Sequence, residues 1–341
     1  MREMIQDTIE RILGDRVTPK GLAESWQDGV WHDALWSLLR ESGFTHALCS
    51  ADAGGAGATW GDLYPLFVAC GAHQLPLPLP ETVLSNWLLE RADIAHPGGL
   101  VGIVDDTGLG DRSDAAGHVA WGRRCGHFIV PRGDEIAMFA ANDITLTYGT
   151  NLAREPRDLV RLGAAQPVAV GGLARARAVV LCHGAVMRAA QAAGAAQSAL
   201  RQTIRYAGER SQFGRPLAKF QAVQQQIASA VSEVAALNAA SEYACSTDDS
   251  GREWAAAVAK ITASEAGAVV CDVAHAVHGA IGYTCEYPLH HATQRLRAWS
   301  MEFGNHHWWS QRLGRAIRQR GAAGLIPMIV DGTATIPGIS P

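Results

Sequence analysis

The stretch Arg205-Tyr-Ala-Gly-Glu-Arg-Ser-Gln-Phe-Gly-Arg-Pro-Leu-Ala-Lys-Phe-Gln-Ala-Val-Gln-Gln-Gln-Ile-Ala-Ser-Ala230 decides how this chain is organised. It predicts two helices with a break between them, because a glycine suits the end of the first and a proline the first turn of the next. Arg210, Gln212 and Phe213 precede the break, and such a cation, amide and aromatic ring can hold an anion and stack on a flat ring. A solvated surface hairpin is the alternative interpretation. The second helix has apolar residues at helical spacing: Phe220, Val223, Ile227 and Ala230.

On both sides of this stretch the sequence is helical. An alanine-rich run precedes it, and alanine is the strongest helix former. The predicted helices are 174–208, 219–245, 252–277 and 288 to about 320, the last with a possible interruption near Gly304. Four long helices with short links favour a four-helix bundle over residues 174–320. Residues 321–341 are expected to be a loosely ordered tail.

The period of the pattern changes upstream, in residues 98–173. Short strand-like runs alternate there with Gly and Asp, which predicts a small, reduced β-barrel or sheet of five to seven strands. The runs are 101–104, 118–121, 127–130, 136–139 and 144–147.

Residues 1–97 predict an N-terminal α-helical domain, so the fold class is α+β. The proline-rich segment 75–81 is expected to be extended, since proline is not tolerated inside a helix. Gly71 is expected to close the helix before it. The predicted helices lie at 3–13, from about 31 to near Gly43, at 61–71 and at 82–91.

Composition narrows the class of protein. The chain has 341 residues, 48 % of them hydrophobic, and a net charge of −4 without a dense Lys/Arg block. This argues against nucleic acid and an anionic membrane as main partners. We find no secretory signal and no apolar run of spanning length. The seven cysteines are scattered without a CxxC pair, which fits reduced thiols in a cytoplasmic protein.

Two segments carry a resemblance to a known family. The run Glu209-Arg-Ser-Gln-Phe-Gly-Arg-Pro-Leu217, followed by Phe220-Gln221, resembles the acyl-CoA dehydrogenases. The segment His278-Gly-Ala-Ile-Gly-Tyr-Thr-Cys-Glu-Tyr-Pro-Leu289 is similar to the family's second C-terminal signature. The resemblance implies the acyl-CoA dehydrogenase fold, an acyl-CoA substrate, the cofactor FAD and an acceptor such as an electron-transfer flavoprotein.

In that family the first motif contacts the pyrophosphate of the FAD bound by a neighbouring subunit. The resemblance assigns this role to Arg210, whose planar fork suits pyrophosphate oxygens. The second motif brings backbone amides against the cofactor. The implied cofactor-binding residues are Arg210, Gln212, Phe213, Phe220, Gln221, His278, Gly279 and Gly282.

The sequence also departs from the family pattern. Ala276 and Ala280 replace a glutamine and a glycine of the second motif. The middle domain lacks the Thr-Glu-Pro…Gly-Ser-Asp segment that holds the flavin ring on the same subunit in this family. The half of the FAD site that serves a neighbour is therefore the better preserved half.

The sequence leaves open which residue, if any, is the catalytic base. Such a base should be an unpaired, partly desolvated carboxylate. Alignment of the second motif places Phe303 at the position of the family's glutamate, and Glu302, one residue earlier, is the candidate base. In other members the base lies on the first long helix, near Gly184 here. The base is therefore Glu302 or is absent from this chain.

Three readings follow. The chain resembles the smaller subunit of the paired enzymes that bacteria use on steroid-CoA thioesters, which implies a hetero-oligomer, such as a heterotetramer, with FAD at the interface. An inactive homo-oligomeric scaffold is the alternative, and an active homo-oligomer with Glu302 as base is the third. No metal site is predicted, because the adjacent pairs His290–His291 and His306–His307 point apart on a helix.

Overall fold

The computed structural model describes residues 1–104, 116–332 and 336. The N-terminal part is helical, as predicted. Within it, α1 presents a buried stripe of Ile5, Ile9, Ile12 and Leu13, and the side chain of Thr59 caps α4 in a reciprocal box with Asp62. The helices are α1 (Arg2–Arg16), α2 (Pro19–Asp28), α3 (Asp33–Glu41), α4 (Trp60–Ala72) and α5 (Leu79–Arg91).

Two local predictions in this region are wrong. The proline-rich segment is not extended to residue 81, because α5 begins at Leu79 and takes Pro80 into its first turn, where proline lacks no needed hydrogen bond. Gly71 does not end α4. A Cβ at Gly71 would collide with the backbone of Gln191, so this glycine permits close packing against the long helix that follows.

The middle region is a β domain of two sheets. In the first sheet, of order β1-β3-β4-β7, β1 is parallel to β3 and the other pairs are antiparallel; the second, β2-β6-β5, is antiparallel. The last two strands were not among the predicted runs. The strands are β1 (Leu100–Ile103), β2 (Ala116–Ala120), β3 (Cys125–Arg132), β4 (Glu135–Ala140), β5 (Thr145–Thr147), β6 (Arg157–Arg161) and β7 (Ala169–Gly172).

The C-terminal part is a helical bundle built around α6, whose 34 residues are largely alanine and largely buried. Gly194 of α6 lies against the backbone of α4, at a spacing that a Cβ would prevent. A two-stranded hairpin, β8 (Ser211–Gln212) and β9 (Arg215–Pro216), follows α6. The helices are α6 (Ala176–Glu209), α7 (Gln221–Ser246), α8 (Arg252–His278), α9 (Leu289–Trp299) and α10 (His306–Asp331).

The predicted fourth helix is two helices. The backbone at Phe303 and Gly304 has positive φ, 53° and 84°, and this turn separates α9 from α10. The predicted loose tail is also wrong up to residue 331, because α10 continues there after a break at Gly321. Residues 333–335 and 337–341 of that tail lie outside the described part. By length and composition the span Arg252–Tyr283 could cross a membrane, but 61 % of its most apolar window is buried in the bundle, as in a core helix of a folded domain.

Two buried histidines make the stability of this fold sensitive to acid. His183 on α6 packs against the rings of Trp60 and Trp87 and is 3 % exposed. Burial, with a smaller effect of Arg252, lowers the pKa of His183 to about 3. Burial also lowers the pKa of His291 to about 3, helped by His290 and Arg295. Both rings are therefore neutral in the folded protein near pH 6.

We expect the free energy of unfolding to fall as the pH drops below about 6.5. Unfolded histidine takes up a proton there and the buried rings do not, so each ring costs about 1.4 kcal/mol per pH unit between its unfolded and folded pKa. Urea titrations at pH 7.0, 6.0 and 5.5 measure this slope. His183→Phe should reduce it, whereas a change at the exposed ring of His307, His307→Gln, should not. If the unfolding free energy of His183→Phe changed with pH as steeply as that of wild type, the low pKa assigned to His183 would be contradicted.

Candidate cofactor surface and interdomain cavity

The hairpin after α6 presents the residues of the first motif to solvent. Arg210, Gln212 and Phe213 are all exposed, and the Phe213 ring is 91 % exposed. Phe213 has a φ of 51° and Gly214 a φ of 80°, which form the tight turn of the hairpin. The Phe220 ring, 6.2 Å from that of Phe213, lies at the base. An exposed aromatic ring on a constrained turn is a surface that a flat ligand or a partner can cover.

The second motif reaches the same end of the bundle. Tyr206, one turn before Arg210, stacks on His278 with the ring centroids 4.4 Å apart. His278 is the last residue of α8, and its Nδ1 donates to the carbonyl oxygen of Ala274, 2.7 Å away. Its Nε2 is buried and has no hydrogen-bond partner among the residues that the structure describes. Tyr287 contacts both rings. This aromatic cluster joins the two motifs, which are far apart in the chain.

Backbone geometry after α8 supports a close approach. Gly279 has a φ of 63° and a ψ of −143°, and a Cβ there would meet nothing within 4 Å. Such a conformation is available mainly to glycine. Gly282, in contrast, is buried against His278, where a Cβ would collide, so this glycine is needed for the turn that follows α8. Gln221 begins α7 and is exposed beside Phe220.

The charge at this end of the bundle suits an anion. Between residues 201 and 215 one acidic side chain, Glu209, accompanies the arginines, and the arginines are exposed. The arginines are Arg201, Arg205, Arg210 and Arg215. The guanidinium of Arg215 lies over the Phe220 ring, 4.1 Å from its centroid. An exposed arginine fork, an exposed ring, an open glycine backbone and a buried imidazole nitrogen fit the pyrophosphate and adenosine half of a dinucleotide.

A second feature is a cavity of about 660 Å³ between the β domain and the helices. Its walls come from β1, β2, β6, α5 and the turn after α9. None of the residues named above at the bundle end lines it. Apolar side chains form much of the wall: Leu100, Val101, Ile103, Leu152, Leu159, Met301 and Phe303.

A buried charge network lies at one wall of this cavity, where four of its six members, Glu81, Arg157, Arg188 and Glu302, line it. It contains three carboxylates and three guanidinium groups: Glu81, Glu155, Glu302, Arg157, Arg188 and Arg295. Arg188 Nη2 donates to Glu81 at 2.6 Å and contacts Glu302 at 2.7 Å. Arg157 Nε donates to Glu302 Oε1 at 2.9 Å. The network joins α5, β6, α6, α9 and the turn after α9, and its formal charge is zero.

Glu302 is the centre of this network. Its carboxylate accepts from Arg157 and Arg188, and from Asn151 Nδ2 at 3.3 Å. Burial alone would raise the pKa of Glu302, but the two arginines outweigh burial and lower it to about 2. A general base works best unpaired and with a pKa near the working pH. Two arginines pair the Glu302 carboxylate, whereas the predicted base should be unpaired, and the role of Glu302 as base stays a prediction.

The two base positions known from the family meet in this structure. The ring of Phe303 lies directly against Gly184 of α6, where a Cβ would collide with it. One position therefore holds an aromatic ring and the other a glycine. Their contact supports the alignment of the second motif, since the two positions serve one reaction in the family.

The sequence reasoning missed the network apart from Glu302. Arg188 could have indicated the network, because a lone arginine in the middle of an alanine-rich buried helix needs a buried counter-ion. Glu155 also accepts from the Trp299 indole at 2.9 Å and from Asn151 at 2.8 Å. These partners come from segments up to 144 residues apart, which no local pattern reveals.

Comparison with known proteins agrees with the fold. Residues 171–317 match the model for the acyl-CoA dehydrogenase C-terminal domain. The protein named acyl-CoA dehydrogenase IpdE2 from Mycolicibacterium smegmatis is 27 % identical over 294 residues, 84 % of this chain and 89 % of that protein. The IpdE2 of Mycobacterium tuberculosis is 27 % identical over 303 residues, 85 % of this chain and 88 % of that protein.

Solved structures share the architecture across the whole chain. The ChsE4–ChsE5 complex from Mycobacterium tuberculosis aligns with a TM-score of 0.88 at 21 % identity, over 94 % of this chain and 98 % of that one. A Tcur3481–Tcur3483 steroid acyl-CoA dehydrogenase variant aligns with a TM-score of 0.84 at 26 % identity, over 93 % and 98 %. The predicted α+β fold is confirmed, and the match over residues 171–317 bears out the predicted resemblance for the C-terminal domain.

Proposed function

We propose that this chain, whose residues 171–317 match the acyl-CoA dehydrogenase C-terminal domain, is one subunit of a hetero-oligomeric, FAD-dependent acyl-CoA dehydrogenase. In this proposal the cofactor lies at the subunit interface. The chain contributes Arg210, Gln212, Phe213 and the backbone at Gly279 to a flavin whose ring is held by the partner. The substrate is an acyl-CoA, and an electron-transfer flavoprotein accepts the electrons.

One observation carries the proposal. The side chains that fit a dinucleotide lie together and exposed at the bundle end, whereas the positions for a base are filled by Phe303 and Gly184. A chain with these two features would present a cofactor-binding surface to a neighbouring subunit. When bound, FAD accepts the hydride, and the protein supplies its orientation and electrostatics. In this chain Arg210 would hold the pyrophosphate and the Phe213 and Phe220 rings would border the adenosine half.

The names of similar proteins add weight to a paired assembly. Of the two solved structures reported above, one is called a complex of ChsE4 and ChsE5, and the other carries two chain names and is called a steroid acyl-CoA dehydrogenase. A bulky ring-containing acyl group is therefore our proposed substrate class. The third reading, an active homo-oligomer with Glu302 as base, is disfavoured by the two arginines on its carboxylate.

The visible spectrum tests this proposal. We expect the purified chain to be colourless when expressed alone and yellow when co-purified with the acyl-CoA dehydrogenase encoded nearest to it in the genome. A chain that is yellow alone would contradict the shared site. A chain that is colourless in both preparations, with only self-assembly in solution, would favour the inactive scaffold.

A further inference from the structure

A chain of hydrogen bonds joins the N-terminal helical domain to the loop that leads into β1. Its centre is Asn86 of α5, which is 3 % exposed. Asn86 Nδ2 donates to the carbonyl oxygen of Thr45 at 2.8 Å and lies 3.4 Å from His46 Nε2. On the other side, Asn86 Oδ1 lies 2.9 Å from His96 Nε2, and His96 Nδ1 accepts from the backbone N–H of Gly98 at 3.1 Å.

The two ends of this chain fix the position of every proton in it. The carbonyl of Thr45 can only accept and the N–H of Gly98 can only donate. Asn86 therefore turns its NH₂ group to Thr45 and its oxygen to His96, so His96 must carry its proton on Nε2. His46 Nε2 then accepts from Asn86, and His46 Nδ1 donates to Thr45 Oγ1 at 3.0 Å. Both imidazole rings are thus held in the neutral form.

A second proton on either ring breaks the chain. On His96 the proton would go to Nδ1, where the N–H of Gly98 already points. On His46 it would go to Nε2, which faces the NH₂ group of Asn86. In both cases two donors would face each other. The ring centroids of His46 and His96 are 5.1 Å apart, so two protonated rings would also repel each other.

The surroundings of the two rings also favour the neutral form. Burial lowers the pKa of His46, with a smaller contribution from Arg40 of α3. Burial lowers the pKa of His96 as well, and His46 and His127 of β3 add to this effect. Among the residues that the structure describes, Arg40 and His127 are the other charged or titratable groups that act on the pair. His96 is exposed, so solvent protons can reach it.

We propose that His46, Asn86 and His96 form an acid-sensitive link between the N-terminal helical domain and β1, closed while both rings are neutral and opened by their protonation. Opening of this histidine link releases the start of β1, a strand that lines the interdomain cavity. Acid therefore loosens one wall of that cavity. None of the eight residues assigned to the cofactor takes part in the link, so it stands whether or not the chain shares a flavin.

Amide hydrogen exchange of the full chain, followed by mass spectrometry, tests the link. The peptide 95–104 is measured at pH 7.5, 6.5 and 5.5, and its rates are corrected for the intrinsic effect of pH on exchange. In the open state each ring titrates with an ordinary pKa of about 6.5, so each can raise the opening constant up to about tenfold over this range. We expect the opening constant for 95–104 to rise by about tenfold or more, and by a larger factor than that for 185–196 in α6, which reports global unfolding.

Two variants separate the contributions of the rings. In His96→Gln the side-chain amide can still donate to Asn86 but does not titrate, so the rise should shrink to the part that His46 supplies. In His46→Gln/His96→Gln the rise should disappear, whereas His307→Gln, at an exposed ring on α10, should behave as wild type. The comparison of the two wild-type peptides needs no variant: an equal rise in 95–104 and 185–196 would overturn the proposal. A wild-type rise in the double variant would overturn it as well.

Discussion

Replacing Glu302 with glutamine should lower the free energy of unfolding by about 3–5 kcal/mol, the usual cost of removing one partner from a buried ion pair. The change leaves Arg157 and Arg188 buried with an uncompensated charge, and Glu81 and Glu155 can neutralise them only in part. The expected result is a lower urea midpoint with an unchanged far-ultraviolet spectrum. The matched control is Glu265→Gln, since Glu265 forms an exposed pair with His306, and it should change stability by less than about 1 kcal/mol.

The pH dependence separates a structural anion from a catalytic base. The folded-state pKa of Glu302, about 2, lies below its ordinary value of 4.5. Its ionised form therefore stabilises the fold fully above about pH 4.5, and this contribution is lost as the pH falls toward 2. The difference in unfolding free energy between wild type and Glu302→Gln should be constant from pH 7 to 5 and shrink below that. A variant with wild-type stability whose complex has lost turnover would instead identify Glu302 as the base.

Replacing Arg210 with glutamine should weaken flavin binding in the assembled complex by roughly a hundredfold, because two charge-assisted hydrogen bonds to a pyrophosphate are worth about 3 kcal/mol. The Arg210 side chain is exposed and makes no hydrogen bond or ion pair with the residues that the structure describes, so the stability of the chain should not change. The flavin content of the purified complex, measured against added FAD, gives the affinity.

Two further variants sharpen this experiment. Arg210→Lys should recover only part of the affinity, because an ammonium lacks the fork that pairs with two oxygens. Arg318→Gln removes a charge from a distant, exposed position and should bind flavin as wild type does. Wild-type flavin content in Arg210→Gln would remove this residue from the cofactor site.

The fold could be predicted from sequence because its elements have strong local signals. The alanine-rich run gives α6, and the Gly-Pro break gives the hairpin after it, in nearly the predicted positions. The surface at the bundle end was also within reach, because its residues lie in two contiguous motifs. The predictions were wrong at residues that can either end a helix or belong to one. Gly71 lies inside a helix, where it permits close packing, and Pro80 lies in the first turn of a helix.

The charge network and the cavity could not be predicted in the same way. Glu81, Arg188 and Glu302 lie on three separate elements and meet only in the folded chain. From sequence, Glu302 was a candidate base or a solvated carboxylate, and nothing local shows that two arginines would bind it.

The count of FAD per pair of chains in the co-purified complex tests the central claim most directly. The visible spectrum gives flavin, and amino-acid analysis gives each chain. If this chain provides Arg210 to its partner's flavin and holds no flavin ring of its own, we expect one FAD for each chain and its partner together. Two FAD per pair would mean that both chains hold a flavin ring, and would contradict the account.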